Sequence, residues 1–400
     1  MKPSFLLAPF VVLALTACEE ETPTSISTAE RAARIAQESL IVDGHIDVPY
    51  RLNHAWEDVS VATEGGDFDH PRAVKGGLNA PFMSIYTPAD MGDSPEATDH
   101  ANKMIDLVDR MVRENPDKFA IVRTPKETEA ASRAGKIALP LGMENGSPIN
   151  GSMDTLDHFF ERGIRYITLA HSKSNHLADS SYDENRQWNG LSPFGAEVVA
   201  RMNDLGIMVD ISHLSDASTN AVLDITKAPV IASHSSARHF TPDWERNISD
   251  ELIKRIKDNG GVIMVNYGSA FLHQPPHAYN DALTAEWEAL VANGTEDTEE
   301  GKEAFEKAYR LTHPYPYADI KIVADHIDYI RDLAGIDHVG IGSDYDGVGD
   351  SLPTGLKDVT SYPNLIELLL KRGYSDEDIR KILSGNLMRV WRAVDAYAGT

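Results

Sequence analysis

His45 and Asp47 stand two residues apart at the end of a hydrophobic run, Leu40-Ile41-Val42-Asp43-Gly44-His45-Ile46-Asp47-Val48-Pro49. In a strand, alternate side chains share a face, so the imidazole and the carboxylate point the same way. Such a pair suits a divalent metal, and it also suits a plain hydrogen bond at a strand terminus. The pattern then recurs. IALPLGME at 137–144 ends in Glu144, while YITLAH, IMVDISH and VIASH end in His171, His213 and His234, and VGIGSD ends in Asp344. One terminal His or Asp is ordinarily a cap; so many on one chain point to a shared site. Imidazole and carboxylate without thiolate suit zinc, and also manganese or cobalt. These ligands exceed what one catalytic zinc needs, so two ions sharing a carboxylate is the simplest arrangement, with Glu144 as the bridge. Two ions about 3.5–4 Å apart can hold a bridging hydroxide and polarise a carbonyl together.

The elements that must position these groups alternate between strand and helix, which indicates parallel βαβ units. Strand candidates are the opening run, 81–87, 119–123, 137–144, 166–171, 207–213, 230–234, 262–267 and 339–344. The near-continuous apolar character of these runs fits a sheet buried on both faces. A (β/α)8 TIM barrel with a binuclear metal site at the C-terminal strand ends is expected, with 119–123 left outside it. A doubly wound open sheet is the rival, but it would spread the polar strand ends along an edge instead of converging them. A polar insertion is expected at about 268–338, read as one or two solvated helices before the last strand. The C-terminal region 375–396 reads as helical, broken at Ser384-Gly385.

A net charge of −25 excludes a nucleic-acid binder, whose partner demands a basic footprint. Residues 1–17 read as a signal peptide, with Lys2 before an apolar core too short to span as a mature helix. Leu15-Thr16-Ala17-Cys18 resembles the lipobox of bacterial lipoproteins, in which the cysteine is lipidated. Cys18 is the single cysteine, so the exported part has no thiol for a disulfide or a nucleophile. Residues 18–28 read as a tether and 29–400 as one catalytic domain. Glu19 after the cysteine implies the periplasmic side of the outer membrane.

The motifs DGHID (43–47), GMENG (142–146), LAHSKSNHLADS (169–180), GLSPFG (190–195) and DISH (210–213) occur in order, followed by ASHSSAR (232–238), RN (246–247), GIGSDYDG (340–347) and GNLMRVW (385–391). Together they resemble the membrane (renal-type) dipeptidase family, dizinc amidohydrolase-like barrels. The resemblance implies two Zn2+ ions, with His45 and Asp47 on one, His213 and His234 on the other, and Glu144 bridging. It implies a substrate-binding His171 at the scissile carbonyl, a proton-shuttling Asp344, and Arg246 pairing with the free carboxylate of a dipeptide. Arg238 is the rival anchor. The Asp of His-x-Asp and the Glu bridge replace the second His and carboxylated lysine of many amidohydrolases, which favours the dipeptidase branch. The expected reaction is hydrolysis of L,L- and L,D-dipeptides by the bridging hydroxide. The expected partners are small dipeptides and, through the lipid anchor, a membrane; a homodimer is left open. An N-acyl-amino-acid deacylase on the same scaffold and a non-catalytic envelope binding lipoprotein remain as alternatives.

Overall fold

The computed structural model describes residues 26–399, with Met1, Pro3 and Ser4. Most of the signal peptide, Cys18 and most of the tether lie outside the described residues. Among those described, no helix is long and apolar enough to cross a membrane.

Among the described residues ten short strands form: β1 Val42–Ile46, β2 Ala80–Tyr86, β3 Phe119–Ile121, β4 Ile137–Leu139, β5 Leu141–Glu144, β6 Ile164–Thr168, β7 Met208–Asp210, β8 Ile231–Ala232, β9 Val262–Val265 and β10 Val339–Ile341. Eight of them make one all-parallel sheet in the order β1-β2-β5-β6-β7-β8-β9-β10. The ends meet where Ile46 bridges Tyr345, the Asp47 N–H donates to the Tyr345 carbonyl (2.8 Å), and the Asp344 N–H donates to the His45 carbonyl (3.0 Å). The sheet is therefore a nearly closed (β/α)8 barrel, as expected from the strand pattern. Asp43 fastens this seam from inside, accepting from Ser343 N (2.9 Å), His45 N (3.0 Å) and the Tyr362 hydroxyl (2.6 Å).

The helices between strands carry their own start and stop signals. Ser152, Ser192, Ser215 and Ser249 each accept a first-turn backbone N–H at a helix start. Gly163, Gly206 and Gly260 end three of these helices in the left-handed conformation, and β6, β7 and β9 follow at once. Each helix buries an apolar stripe, such as Leu252, Ile253 and Ile256, against the sheet.

Four sequence-based expectations change. Pro140 splits the 137–144 run, so β4 pairs with β3 outside the barrel and only β5 belongs to it; proline has no N–H for a continuous ladder. The segment 268–338 is not all insertion. Its helix Ile320–Ala334 buries Val323, Ile327 and Ile330 and is the barrel's own β9–β10 connection, which leaves Ser269–Leu272, Gln274–Ala292 and Glu299–Thr312 as the added helices. Ser384-Gly385 does not break the C-terminal helix, because Lys381–Gly385 continues as a π-turn into Asn386–Ala398. Strands are also shorter than read: His171, His213, His234 and Asp344 all lie past the last residue of their strands.

Candidate metal centre

The C-terminal ends of the barrel strands bring His45, Asp47, Glu144, His171, His213, His234 and Asp344 into one cluster. Glu144 is its middle, and its two oxygens face different partners. Oε2 lies 3.4 Å from His45 Nε2, which is itself 3.2 Å from Asp47 Oδ2. Oε1 lies 3.1 Å from His213 Nε2, 3.3 Å from His234 Nε2 and 3.4 Å from His171 Nε2. All but His171, which is partly exposed, are buried.

Two of these side chains depend on unusual backbone. His213 and Asp344 have φ of 67° and 63°, the left-handed region that bulky residues rarely enter. Both sit on the turn leaving their strand, where that conformation swings the side chain back over the barrel mouth; strain of this kind clusters at functional sites. Gly347 allows the close approach on the Asp344 side, since a Cβ there would collide with the Asp47 and Asp344 carboxylates. The Asp344 loop is held by a reciprocal clamp in which the Asp346 N–H donates to Asp67 Oδ2 (2.8 Å) and the Asp67 N–H donates to Asp346 Oδ1 (2.6 Å).

The hydrogen bonds around the cluster suit it to metal ions. Asp210 is buried and accepts from Thr168 Oγ1 (2.5 Å), from Ser233 Oγ (2.6 Å), and from the Ser212 and Ser233 N–H groups. With its proton given to Asp210, the Ser233 hydroxyl can only accept from His234 Nδ1, 2.7 Å away. His234 Nε2 is then a bare lone pair, 2.8 Å from His213 Nε2 and aimed at a carboxylate. Burial holds both imidazoles well below the usual histidine pKa, which disfavours a second proton on either. A cation between the His234 lone pair and the Glu144 carboxylate would satisfy both. On the other side, burial opposes a charge on His45, yet Tyr166, Asp47 and Glu144 outweigh it and raise its pKa well above the usual value. That pull on a proton is the demand a cation would meet. The donor set therefore fits two divalent ions sharing Glu144, and it contains no thiolate.

Asp344 is pushed up to about 8 by burial and then by the Asp47 carboxylate, and its Oδ2 accepts from Asn266 Nδ2 at 2.8 Å. Of the two arginines, Arg246 is buried behind the cluster, donating from Nη1 to Ser235 Oγ (2.7 Å) and from Nη2 to the His234 carbonyl (3.0 Å). Its Nε meets no hydrogen-bond partner among the described residues. Arg238 is instead engaged end-on by Asp216, at 2.7 and 2.5 Å, away from the cluster. A cavity of about 510 Å3 opens over the centre, with Asp47, Glu144, His171, His213 and Asp344 in its floor.

Sequence reasoning missed the groups that orient the ligands. Tyr166, Asp210, Ser233 and Asn266 carry no spacing signal of their own, although Asp210 and Ser233 lie inside the DISH and ASHSSAR stretches. His326 is fully buried; its Nδ1 accepts from the Ala237 N–H (3.0 Å) and its Nε2 donates to the Leu272 carbonyl (2.9 Å). It ties the segment after β8 to the first added helix.

Tyr166 offers the cleanest test of this arrangement. Its hydroxyl meets His45 Nδ1 at 2.7 Å, and its ring lies where a Cβ on Gly142 would fall. Tyr166→Phe keeps the ring and removes the hydroxyl. Metal affinity, read by competition with a chelator, should fall roughly ten- to hundred-fold with the fold intact; an unchanged affinity would mean that Tyr166 does not orient His45.

The family model for membrane dipeptidase (Peptidase family M19) matches residues 29–400. Among solved structures, the chain is similar to the probable dipeptidase PvdM from Pseudomonas aeruginosa, at 30% identity over 93% of this chain and 99% of that one, with a TM-score of 0.79. It is also similar to a metallopeptidase from Rhodobacter sphaeroides that was solved with a phosphinate mimic of the dipeptide L-Ala-D-Ala, at 25% identity over 89% and 100%, with a TM-score of 0.72. A dipeptidase of family M19 matches at 25% identity over 89% and 98%, with a TM-score of 0.73. This chain belongs to the membrane dipeptidase family of metallopeptidases.

Proposed function

We propose that the protein hydrolyses free dipeptides with two zinc ions, and that the observation carrying this reading is Glu144, whose oxygens face two separate ligand groups beneath an open cavity. His45 and Asp47 would hold one ion, His213 and His234 the other, and Glu144 both. Bound there, the ions would activate the attacking water and polarise the scissile carbonyl. His171, at the cavity floor with Nε2 near Glu144 Oε1, contacts the carbonyl oxygen and steadies its growing charge. Asp344 takes the water's proton as the new C–O bond forms and gives it to the leaving nitrogen as the C–N bond breaks. Asn266 holds Oδ2 of that carboxylate in place. Manganese or cobalt would suit the same donors.

Arg246 is assigned the substrate's terminal carboxylate. Its Nε has no hydrogen-bond partner among the described residues, whereas Arg238 already spends its fork on Asp216. The mimic of L-Ala-D-Ala bound by the Rhodobacter sphaeroides relative supports L,D- as well as L,L-dipeptides as substrates here. The deacylase alternative needs the same metals and anchor but no room for a free α-amine.

Steady-state kinetics on the zinc-loaded enzyme separates these readings. A free dipeptide should be cleaved much faster than its N-acetyl form; the reverse preference would sink the dipeptidase reading. In the same assay Arg246→Ala should act mainly by raising KM, and if Arg238→Ala does this instead, the anchor is misassigned.

We further propose that lipidation of Cys18 holds the enzyme on the periplasmic side of an outer membrane. The support is the lipobox-like Leu15-Thr16-Ala17-Cys18 and the Glu that follows it. Cys18→Ser should move the protein to the soluble fraction with hydrolysis unaffected. A variant that still sediments with membranes contradicts the anchor.

A further inference from the structure

The added helices Gln274–Ala292 and Glu299–Thr312 share the catalytic cavity, yet the hydrolytic chemistry uses none of their residues. We propose that they build a subsite for the side chain of the substrate's N-terminal residue, and that this subsite takes large aromatic side chains. The inference rests on the dipeptidase reading and adds its specificity.

The two ends of the site differ in what surrounds them. Around Arg246 the space is boxed by rings: its guanidinium lies over Phe271 at 5.1 Å, Phe271 packs on Trp244 at 5.1 Å, and Trp244 on Tyr182 at 6.1 Å. The residue that presents its carboxylate there packs against these rings, of which Tyr182 and Phe271 also face the cavity. The α-ammonium of the other residue would meet the Asp47 and Asp344 carboxylates. From Asp344 the cavity wall continues along the same loop through Gly347, Val348 and Ser351, and then onto the added helices. That loop is stitched to the added segment, because the Ser269 N–H donates to the Ser351 carbonyl (3.0 Å) and Arg310 donates to the Asp350 carbonyl (2.9 Å) and carboxylate (3.0 Å). The N-terminal side chain therefore leaves the centre toward the insertion.

The wall it reaches is aromatic and rigid. Leu283, Trp287, Phe305 and Tyr315 line it. Trp287 packs on Phe305 at 5.6 Å, and the cluster runs on through Tyr309 and Tyr279 to Tyr315 at 5.8, 5.4 and 5.0 Å. The Trp287 indole N–H is fixed to Asp297 at 3.1 Å. Rings held in place present faces on which another ring stacks at little entropic cost. Asn280, Thr284, Lys302 and Glu306 give this pocket a polar rim. The volume, about 510 Å3, lies in the range that encloses drug-sized ligands and exceeds what two alanines need.

The test uses the metal-loaded enzyme and three free dipeptides: L-Phe-L-Ala, L-Ala-L-Phe and L-Ala-L-Ala. The kcat/KM for Phe-Ala should exceed that for Ala-Ala by at least about tenfold, the scale on which an apolar pocket discriminates. Replacing Trp287 would remove the insertion's own core, so the test variant is Thr284→Trp, which fills the pocket from an exposed position on its helix. In that variant the Phe-Ala to Ala-Ala ratio should drop toward one. Hydrolysis of Ala-Ala without an aromatic preference, or a ratio unchanged by Thr284→Trp, overturns the inference alone. A preference for Ala-Phe that Thr284→Trp abolishes assigns the subsite to the other residue and overturns it as stated. No hydrolysis of any dipeptide overturns the dipeptidase reading itself and the inference with it.

Discussion

A buried carboxylate surrounded by imidazole lone pairs is the constraint on which the rest of this structure depends. Glu144 sits in the barrel's mouth with four histidine Nε2 atoms within 3.4 Å. Burial alone would raise its pKa, yet the histidines around it, His45 and His171 first, hold it well below the usual carboxylate value. Such a group is stable only when positive charge is at hand, because an unpaired charge in a low-dielectric interior costs several kcal/mol, order of magnitude. Neutral His213 and His234 cannot supply that charge. The hydroxyl of Ser233, committed to Asp210, ensures that His234 keeps its lone pair pointing inward. The surroundings thus keep His213 and His234 neutral, while the carboxylates beside His45 call for the positive charge that metal ions would bring.

The barrel's geometry follows from the same need. Its strands are short, and the ligands come from residues at or just past their ends, where the backbone can turn. Left-handed conformations at His213 and Asp344 place side chains that a regular strand would have sent to a fixed face. The price of that strain is met by a rigid frame, since Asp43 fastens the β1–β10 seam and the Asp67–Asp346 clamp fixes the Asp344 loop. The insertion adds to this frame a wall of rings, which shapes the cavity without touching the reacting atoms.

The barrel was legible in the sequence because each strand is a continuous apolar run and the polar residues closing those runs converge only in a barrel. The exclusion of Phe119–Ile121 from the main sheet followed from counting runs against places. Pro140 was there to be read as a break, but one apolar run on both sides hid it. The helix Ile320–Ala334 was merged with the insertion because its polar face resembles its neighbours; its Val323, Ile327, Ile330 stripe carries the barrel assignment. The residues gathered at the centre could be picked by type and position. What Tyr166, Ser233 and Asp210 do could not, since a hydroxyl's partner is set by which elements meet in space. Left-handed backbone at a histidine or aspartate has no compositional mark, unlike the same conformation at glycine.

The central claim is that Glu144 is shared by two ions, and metal-specific anomalous diffraction from zinc-loaded crystals tests it most directly. The account predicts two peaks about 3.5–4 Å apart, one beside His45 and Asp47 and the other beside His213 and His234, with the Glu144 carboxylate between them. A single peak at full occupancy in excess zinc, or two peaks of which only one contacts Glu144, would contradict it.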